Sequence, residues 1–263
     1  MTVKLRVISL GAGVQSTTMA LMAAHGEIGP MPDCAIFADT GWEPKAVYQH
    51  LEWLRSPNVL PFPVHIVSKG DLRADSLARR NTDGKRHASV PWFLRMPNGA
   101  EGMGRRQCTN EYKLKPITRQ IKELLGGRPK GGAEVWIGIS TDEAMRVKPA
   151  RVQYMINRHP LIEMRMNRLD CLAWLDRHGY PMPPKSSCIG CPYHSAAHWR
   201  AMGADELADA IEVDEAIRNQ AGMKGQQFMH RSRRPLSEVD LSTDEDRGQL
   251  NLFINECEGM CGV

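Results

Sequence analysis

Residues 4–25 read KLRVISLGAGVQSTTMALMAAH, and this stretch decides the fold. Its first part, KLRVISL, is a short, mostly apolar run suited to a buried strand, and TTMALMAAH has the composition of a helix. Between them the small residues of GAGVQST form a tight turn. The pattern then repeats: CAIFADT is a second buried strand, EPKAVYQHLEWLR an amphipathic helix and PVHIVSK a third strand. Such alternation predicts a Rossmann-like α/β fold, a parallel sheet with helices on both faces. Further on, NEYKLKPITRQIKELLG reads as a helix, GAEVWIGIS as another buried strand, and LDCLAWLDRHG as a helix closed by Gly179. Residues 71–107 show no period and read as a long functional loop. MPPKSSCIGCPYH has the turn chemistry of a rigid loop, Trp199 to about Gly222 reads as helical, and the last forty residues are polar. The simplest organisation is one domain over residues 1–198 and a helical, cysteine-bearing extension over 199–263.

Bulk properties exclude several classes. With 42% hydrophobic and 24% charged residues in 263, the chain has an ordinary globular composition. No run nears eighteen apolar residues, so no membrane span is expected. The apolar stretch after the basic start is too short for a signal peptide. A cytoplasmic protein is the expectation. The net charge of +4 permits a phosphate-bearing or nucleic-acid partner without requiring one. Basic pairs recur at Arg79–Arg80, Lys85–Arg86, Arg105–Arg106 and within residues 230–234. Seven cysteines in a reducing compartment point to metal binding or thiol chemistry instead of disulfides. Cys34 and Cys171 lie in apolar stretches and read as core residues. The other five lie beside Gly, Pro or polar residues.

Two groups of residues carry chemistry on the strand ends. Around the first turn, Ser9, Gly11, Ala12, Gly13, Gln15, Ser16 and Thr17 leave backbone N–H groups open to an anion, with the helix dipole behind them. A strand–helix turn needs glycine in any case, so this turn has a purely structural reading too. It matches neither the dinucleotide fingerprint nor a Walker loop. Asp39, Thr40 and Gly41 end the second strand and fall on the same rim, where open parallel sheets bind ligands. Asp39 serves equally as a helix cap. Beyond the later strand, Gly138 leads into Asp142, Glu143 and Arg146. Arg146 can pair with a phosphate, and the two acids can bind Mg2+ or hold the arginine; a capped helix start with an ion pair fits as well.

The third group is made of thiols. Cys188-Ile-Gly-Cys191, in a proline-bounded loop, can aim two thiolates at zinc or at an iron–sulfur cluster, or form a redox pair. A redox pair sits at a helix start soon after the first strand, and zinc wants a second close pair before the tail; neither is present. Cys108 opens a basic helix, and Cys257 and Cys261 lie in the last seven residues. His194 and His198 follow the pair and carry no clear assignment.

These motifs resemble those of the ATP pyrophosphatase superfamily and its phosphoadenosine-phosphosulfate reductase family. Residues 11–16 stand where the family has SGGxDS, with Gly11 for the serine and Gln15 for the aspartate. DTGWEP at 39–44 resembles the family's DTG segment, and 138–146 its G-I-R-x-D-E-x-x-R, with Ser140 in the arginine place. His159 to Met164 resembles the YPLI-type strand that follows. Cys108-Thr109 with Lys113-Leu114-Lys115-Pro116 is similar to cluster-bearing DNA phosphorothioation enzymes, and Gln107 stands where a reductase has another cysteine. The resemblance implies an adenine nucleotide alpha hydrolase-like fold and a [4Fe-4S] cluster on Cys108, Cys188 and Cys191. Cys257, Cys261 or an open iron would complete it. It also implies ATP or another adenine nucleotide, with Mg2+, on the loop residues, Asp39, Thr40, Gly41 and Gly138. Arg146 and Asp142 would act in catalysis. The implied activity is ATP-dependent sulfur transfer, as in RNA thiolation, to a substrate such as DNA or RNA, with a sulfur or electron donor protein as partner. Sulfite release from a sulfonucleotide by Cys257 is the competing implication, and a non-catalytic nucleotide- and cluster-binding sensor the third.

Overall fold

The computed structural model describes residues 3–80, 84 and 89–242. Strand β1 (Leu5–Leu10) leads through the glycine turn into α1 (Val14–Ala24), and β2 (Cys34–Asp39), α2 (Lys45–Leu54) and β3 (Val64–Ser68) follow as the alternation predicts. Residues 71–107, expected to be a loop, instead contain α3 (Leu72–Ala78) and a hairpin of β4 (Phe93–Arg95) and β5 (Glu101–Met103). These elements are too short to show a period. Helix α3 is announced by its cap, since the Asp71 carboxylate accepts from the Ala74 amide at 2.9 Å. Next come α4 (Lys115–Leu124), β6 (Ala133–Ile137) and β7 (Met155–Arg158). The segment resembling a YPLI strand is α5 (Pro160–Glu163), a single turn started by proline, and the strand lies just before it. Helix α6 (Arg168–Arg177) opens with a capping box of Asn167 and Asp170. The helical stretch expected after Trp199 is two helices, α7 (Ala196–Ala201) and α8 (Ala204–Ile217), and β8 (Gln226–Phe228) follows.

The main sheet is parallel throughout, in the order β3-β2-β1-β6-β7. The chain builds outward from β1 to β3, then crosses to the other side of β1 for β6. The strand order therefore reverses between β1 and β6, and a crevice opens outside their carboxyl ends. One apolar layer lies under α1, α2 and α6, where Ile8, Leu10, Leu21, Leu51 and Trp174 meet. The other lies under α4, where Val7, Ile36, Val135, Ile117 and Ile121 meet. Alternate residues of β1, Val7 and Ile8, thus serve opposite layers. Cys34 and Cys171 are core residues, their thiols pushed up to about 12 chiefly by burial. A third cluster joins Trp42, Trp92, Trp199, Val213, Ile217 and Met229. It packs beneath the second sheet, which is antiparallel in the order β5-β4-β8, with Phe93 opposite Phe228. No helix among the described residues is long and apolar enough to cross a membrane.

Helix α1 is buried almost all round, and this sets a pH dependence. Thr17 Oγ1 lies 3.0 Å from Nε2 of the buried His50 on α2, and burial lowers that imidazole from 6.5 to about 4. The fold holds the ring neutral, so its contribution is complete above pH 6.5 and is lost as pH falls toward 4. The loss reaches on the order of 3 kcal/mol. Urea unfolding of wild type and His50→Gln at pH 7 and pH 4.5 checks this: the stability gap between them should shrink at the lower pH.

Candidate functional site

The crevice at the strand reversal is a cavity of about 160 Å³. Ser9, Gly11, Gly13, Gln15 and Ser16 line it from the first turn, and Gly138, Glu143 and Arg146 from beyond β6. The turn is held by its own polar groups. Ser16 Oγ accepts from the Gly11 amide at 3.1 Å, and Ala12 adopts a left-handed conformation at φ 55°. Gly13 is the N-cap of α1, and no side chain caps that end by a hydrogen bond. The helix therefore offers its positive end to the crevice. Gly138 is required by close approach, because a Cβ there would lie 2.9 Å from the Ser16 amide nitrogen.

The remaining walls come from distant segments. Phe37, Leu114, Ile117, Ile137 and Ile139 give an apolar side suited to a flat ring, while Lys113, Arg146, Arg168 and Lys185 contribute positive charge. Glu143 is the one carboxylate among the lining residues, against four cations. It holds Arg146 at 2.5 Å, the i,i+3 pair anticipated from sequence. Gln15 donates to Glu143 at 3.4 Å and accepts from Arg168 Nη1 at 3.2 Å. Neither Arg168 nor Lys185 stands out in the local sequence. Arg168 begins α6, and only the packing of α6 along α1 delivers it here.

Other expected residues lie elsewhere. Thr17 turns its hydroxyl into the core toward His50, and Ala12 is buried behind the turn. Asp39 closes its own turn, accepting from the Gly41 amide and from Tyr48 Oη, each at 2.8 Å. The N-cap of α2 is Pro44, so Asp39 does not cap that helix. Asp142 is exposed and accepts from the Arg168 amide at 3.1 Å. Cys257 and Cys261 lie outside the described residues.

A second pocket of about 30 Å³ adjoins the first. Cys108, Cys188 and Cys191 line it, with Thr40, Trp42, Leu72, Val90, Pro91, Arg106, Tyr193 and Lys113. The local sequence explains how Cys108 arrives. Pro116 has no amide to give the Tyr112 carbonyl and would clash with it in an α-helix. The chain widens instead: residues Thr109–Leu114 form a π-helical turn, with the Lys115 amide reaching back to the Asn110 carbonyl. Gln107 acts as a tie, accepting from the Ser89 amide at 3.1 Å and hydroxyl at 2.9 Å. On the opposite wall, His194 is buried and clamps the C-x-x-C loop. Its Nε2 donates to the carbonyls of Cys188 at 3.0 Å and Ile189 at 3.1 Å. Burial, with His198 and Lys185 nearby, holds this ring well below its usual value and neutral. His194 thus has a structural task that its position in the sequence did not reveal.

Charge is placed deliberately around the thiols. The buried Glu43 carboxylate accepts from Thr40 Oγ1 at 3.0 Å and from Lys113 Nζ at 3.2 Å, and Cys188 Sγ lies 3.5 Å away. Arg106 Nη2 is buried with no hydrogen-bond partner among the described residues, beside the Tyr193 ring. Cys108, Cys188 and Cys191, with the Arg106 guanidinium in the same lining, are the residues that could hold an anionic iron–sulfur cluster.

No protein-family model matches the chain, and no curated protein matches it. Among solved structures it is similar to a phosphoadenylyl-sulfate (PAPS) reductase from Candida auris in complex with phosphate. That likeness has 16% identity and a TM-score of 0.46, covering 69% of this chain and 76% of that one.

Proposed function

We propose that this chain is an iron–sulfur enzyme that binds an adenine nucleotide and uses ATP for sulfur transfer. One observation carries the reading: three cysteines from two distant segments line a pocket that shares Lys113 with a cationic, glycine-edged crevice at the strand reversal. Four cations against one carboxylate suit a polyphosphate, and the apolar wall suits an adenine ring. Gly11, Gly13 and the start of α1 would receive the phosphates, with Arg146, Arg168 and Lys185 around them and Mg2+ accompanying the nucleotide. Cys108, Cys188 and Cys191 would hold the cluster, Arg106 and Lys113 balancing its charge. When bound, a [4Fe-4S] cluster supplies iron sites at which sulfur is held or electrons are exchanged.

The polarity of the crevice supports the following reaction. An acceptor oxygen attacks the α-phosphorus of ATP, the bond to pyrophosphate breaks, and an adenylylated acceptor forms. A sulfide-level donor then displaces AMP, which leaves with that oxygen. Arginines beside the departing phosphates stabilise charge that grows in the transition state. The acceptor in this reading is a nucleic acid, which the net charge of +4 permits without requiring, and a donor protein supplies the sulfur.

Two measurements test this. Anaerobic iron and sulfide analysis of wild type, Cys257→Ser and Cys261→Ser tests the cluster and its fourth ligand. Product analysis should find AMP and pyrophosphate from ATP. Sulfite from a phosphosulfate would overturn ATP-dependent transfer in favour of sulfonucleotide reduction, and binding without turnover of either would favour a sensor. The cleft makes its own prediction. Arg168→Ala removes a charged donor and should weaken ATP binding about 10- to 100-fold, or ~1.5–3 kcal/mol, as read by calorimetric titration.

A further inference from the structure

Helices α1 and α6 lie side by side and point the same way. At their N-terminal ends Gln15 meets Arg168, midway Thr18 Oγ1 reaches the Cys171 carbonyl at 3.5 Å, and at their C-terminal ends His25 meets His178 with ring centroids 5.2 Å apart. Both positive ends therefore face the crevice, and both negative ends face the opposite pole of the molecule. His25 is the C-cap of α1 and His178 the C-cap of α6. Glu27 stands beside them, its carboxylate 3.8 Å from His178 Nε2. One ligand atom from each of His25, Glu27 and His178 falls within 4.8 Å of the others, the only such set of three or more among the described residues.

We propose that these three residues form a site for a divalent transition-metal ion. Two imidazoles and a carboxylate are the donor set that Zn2+ and its first-row neighbours take, with water filling the exposed positions. Each ligand is oriented by a neighbour, as metal ligands are. His178 Nδ1 donates to the Trp174 carbonyl at 2.8 Å, which leaves Nε2 with its lone pair on the side of Glu27. Trp174 Nε1 donates to Glu27 at 3.0 Å, and Tyr180 Oη holds His25 Nε2 at 2.7 Å. The Trp174 ring stacks on His178 at 4.0 Å. Two helix C-termini add negative potential to the same spot. A bound ion would tie the far ends of the two helices whose near ends form the crevice. The inference does not depend on the reading of the cysteine pocket.

The experiment is Zn2+ equilibrium dialysis with metal analysis, together with thermal unfolding in Zn2+ and in chelator. Wild type, His25→Ala, His178→Ala and Glu27→Gln are compared, all retaining the same cysteines. Wild type should hold one more zinc per chain than either histidine variant and should gain melting temperature on adding Zn2+. Glu27→Gln keeps an acceptor for Trp174, so it should match wild type in chelator yet bind zinc at least about tenfold more weakly. Equal zinc content and equal thermal shifts in all four proteins would overturn the site. So would a zinc-induced rise in melting temperature as large in both histidine variants as in wild type.

Discussion

Cys188→Ser, reconstituted anaerobically, is expected to hold far less iron and sulfide than wild type while keeping its fold and its affinity for ATP. The reasons are local. Cys188 lines the second pocket, next in sequence to Ser187 of the first, and its sulfur is 3.3 Å from Thr40 Oγ1 and 3.5 Å from Glu43 Oε1. Serine can keep both hydrogen bonds, so the loop should stay in place and the loss falls on metal ligation. A companion change tests the loop without touching a ligand. A Cβ at Gly190 would lie 2.0 Å from Trp42 Cη2. The indole cannot easily yield, because it is buried and its Nε1 donates to Asp209 at 2.6 Å. Gly190→Ala should therefore displace the segment between the two cysteines, at a cost of about 1–3 kcal/mol, and reduce iron retention while both thiols remain. Full iron in both variants would remove the pocket as a cluster site. Circular dichroism and ATP titration separate that outcome from misfolding.

The largest effect on stability is expected at Asp214. This carboxylate is fully buried on α8 and accepts from the Met229 amide at 2.7 Å, from the Leu236 amide at 3.0 Å and from Arg218. It thereby fastens α8 to β8 and to the turn after it. Asp214→Ala leaves two amides without their acceptor and Arg218 without its carboxylate partner, against the Phe228 ring at 4.1 Å. Removing one member of a buried pair costs about 3–5 kcal/mol, a large part of the roughly 5–15 kcal/mol that a domain has. Urea unfolding should show the midpoint falling sharply, while Asp214→Asn, which keeps one acceptor, should lose less. The same change should loosen the cysteine pocket, because the apolar cluster held by α8 includes Trp42 and Trp92 and packs against Cys108 and Cys188.

Much of the scaffold is legible in the chain because its signals are long and regular. Strands β1, β2, β3 and β6 are apolar runs bounded by turn residues, and the small-residue turn after β1 announces where the crevice opens. Helix α3 and strands β4, β5 and β8 escape notice, since three to seven residues cannot display a period and their pairing is set by distant partners. The C-x-x-C loop is visible from spacing alone, whereas Cys108 joins it only through the family resemblance. The physical cue for its placement is the Lys-Pro step at 115–116 that widens the preceding turn. Arg168 and Lys185 leave no trace in local sequence, because only tertiary packing gives them a role. Thr17 misled for a related reason: a hydroxyl in a helix's first turn can face a ligand or the core, and a buried histidine 33 residues away decided the matter.

Lys113 lines both pockets and is paired with the buried Glu43, whose other oxygen has no hydrogen-bond partner among the described residues. A single ammonium thus contributes to the potential in two compartments at once. Negative charge brought into either compartment draws on that same ammonium and alters what the other offers an anion. Thermodynamic linkage makes the effect mutual: whatever factor one occupant imposes on the affinity of the second, the second imposes on the first. If both pockets hold the anions of the proposed function, they are a coupled pair, and an affinity measured for one is defined only once the charge state of the other is stated.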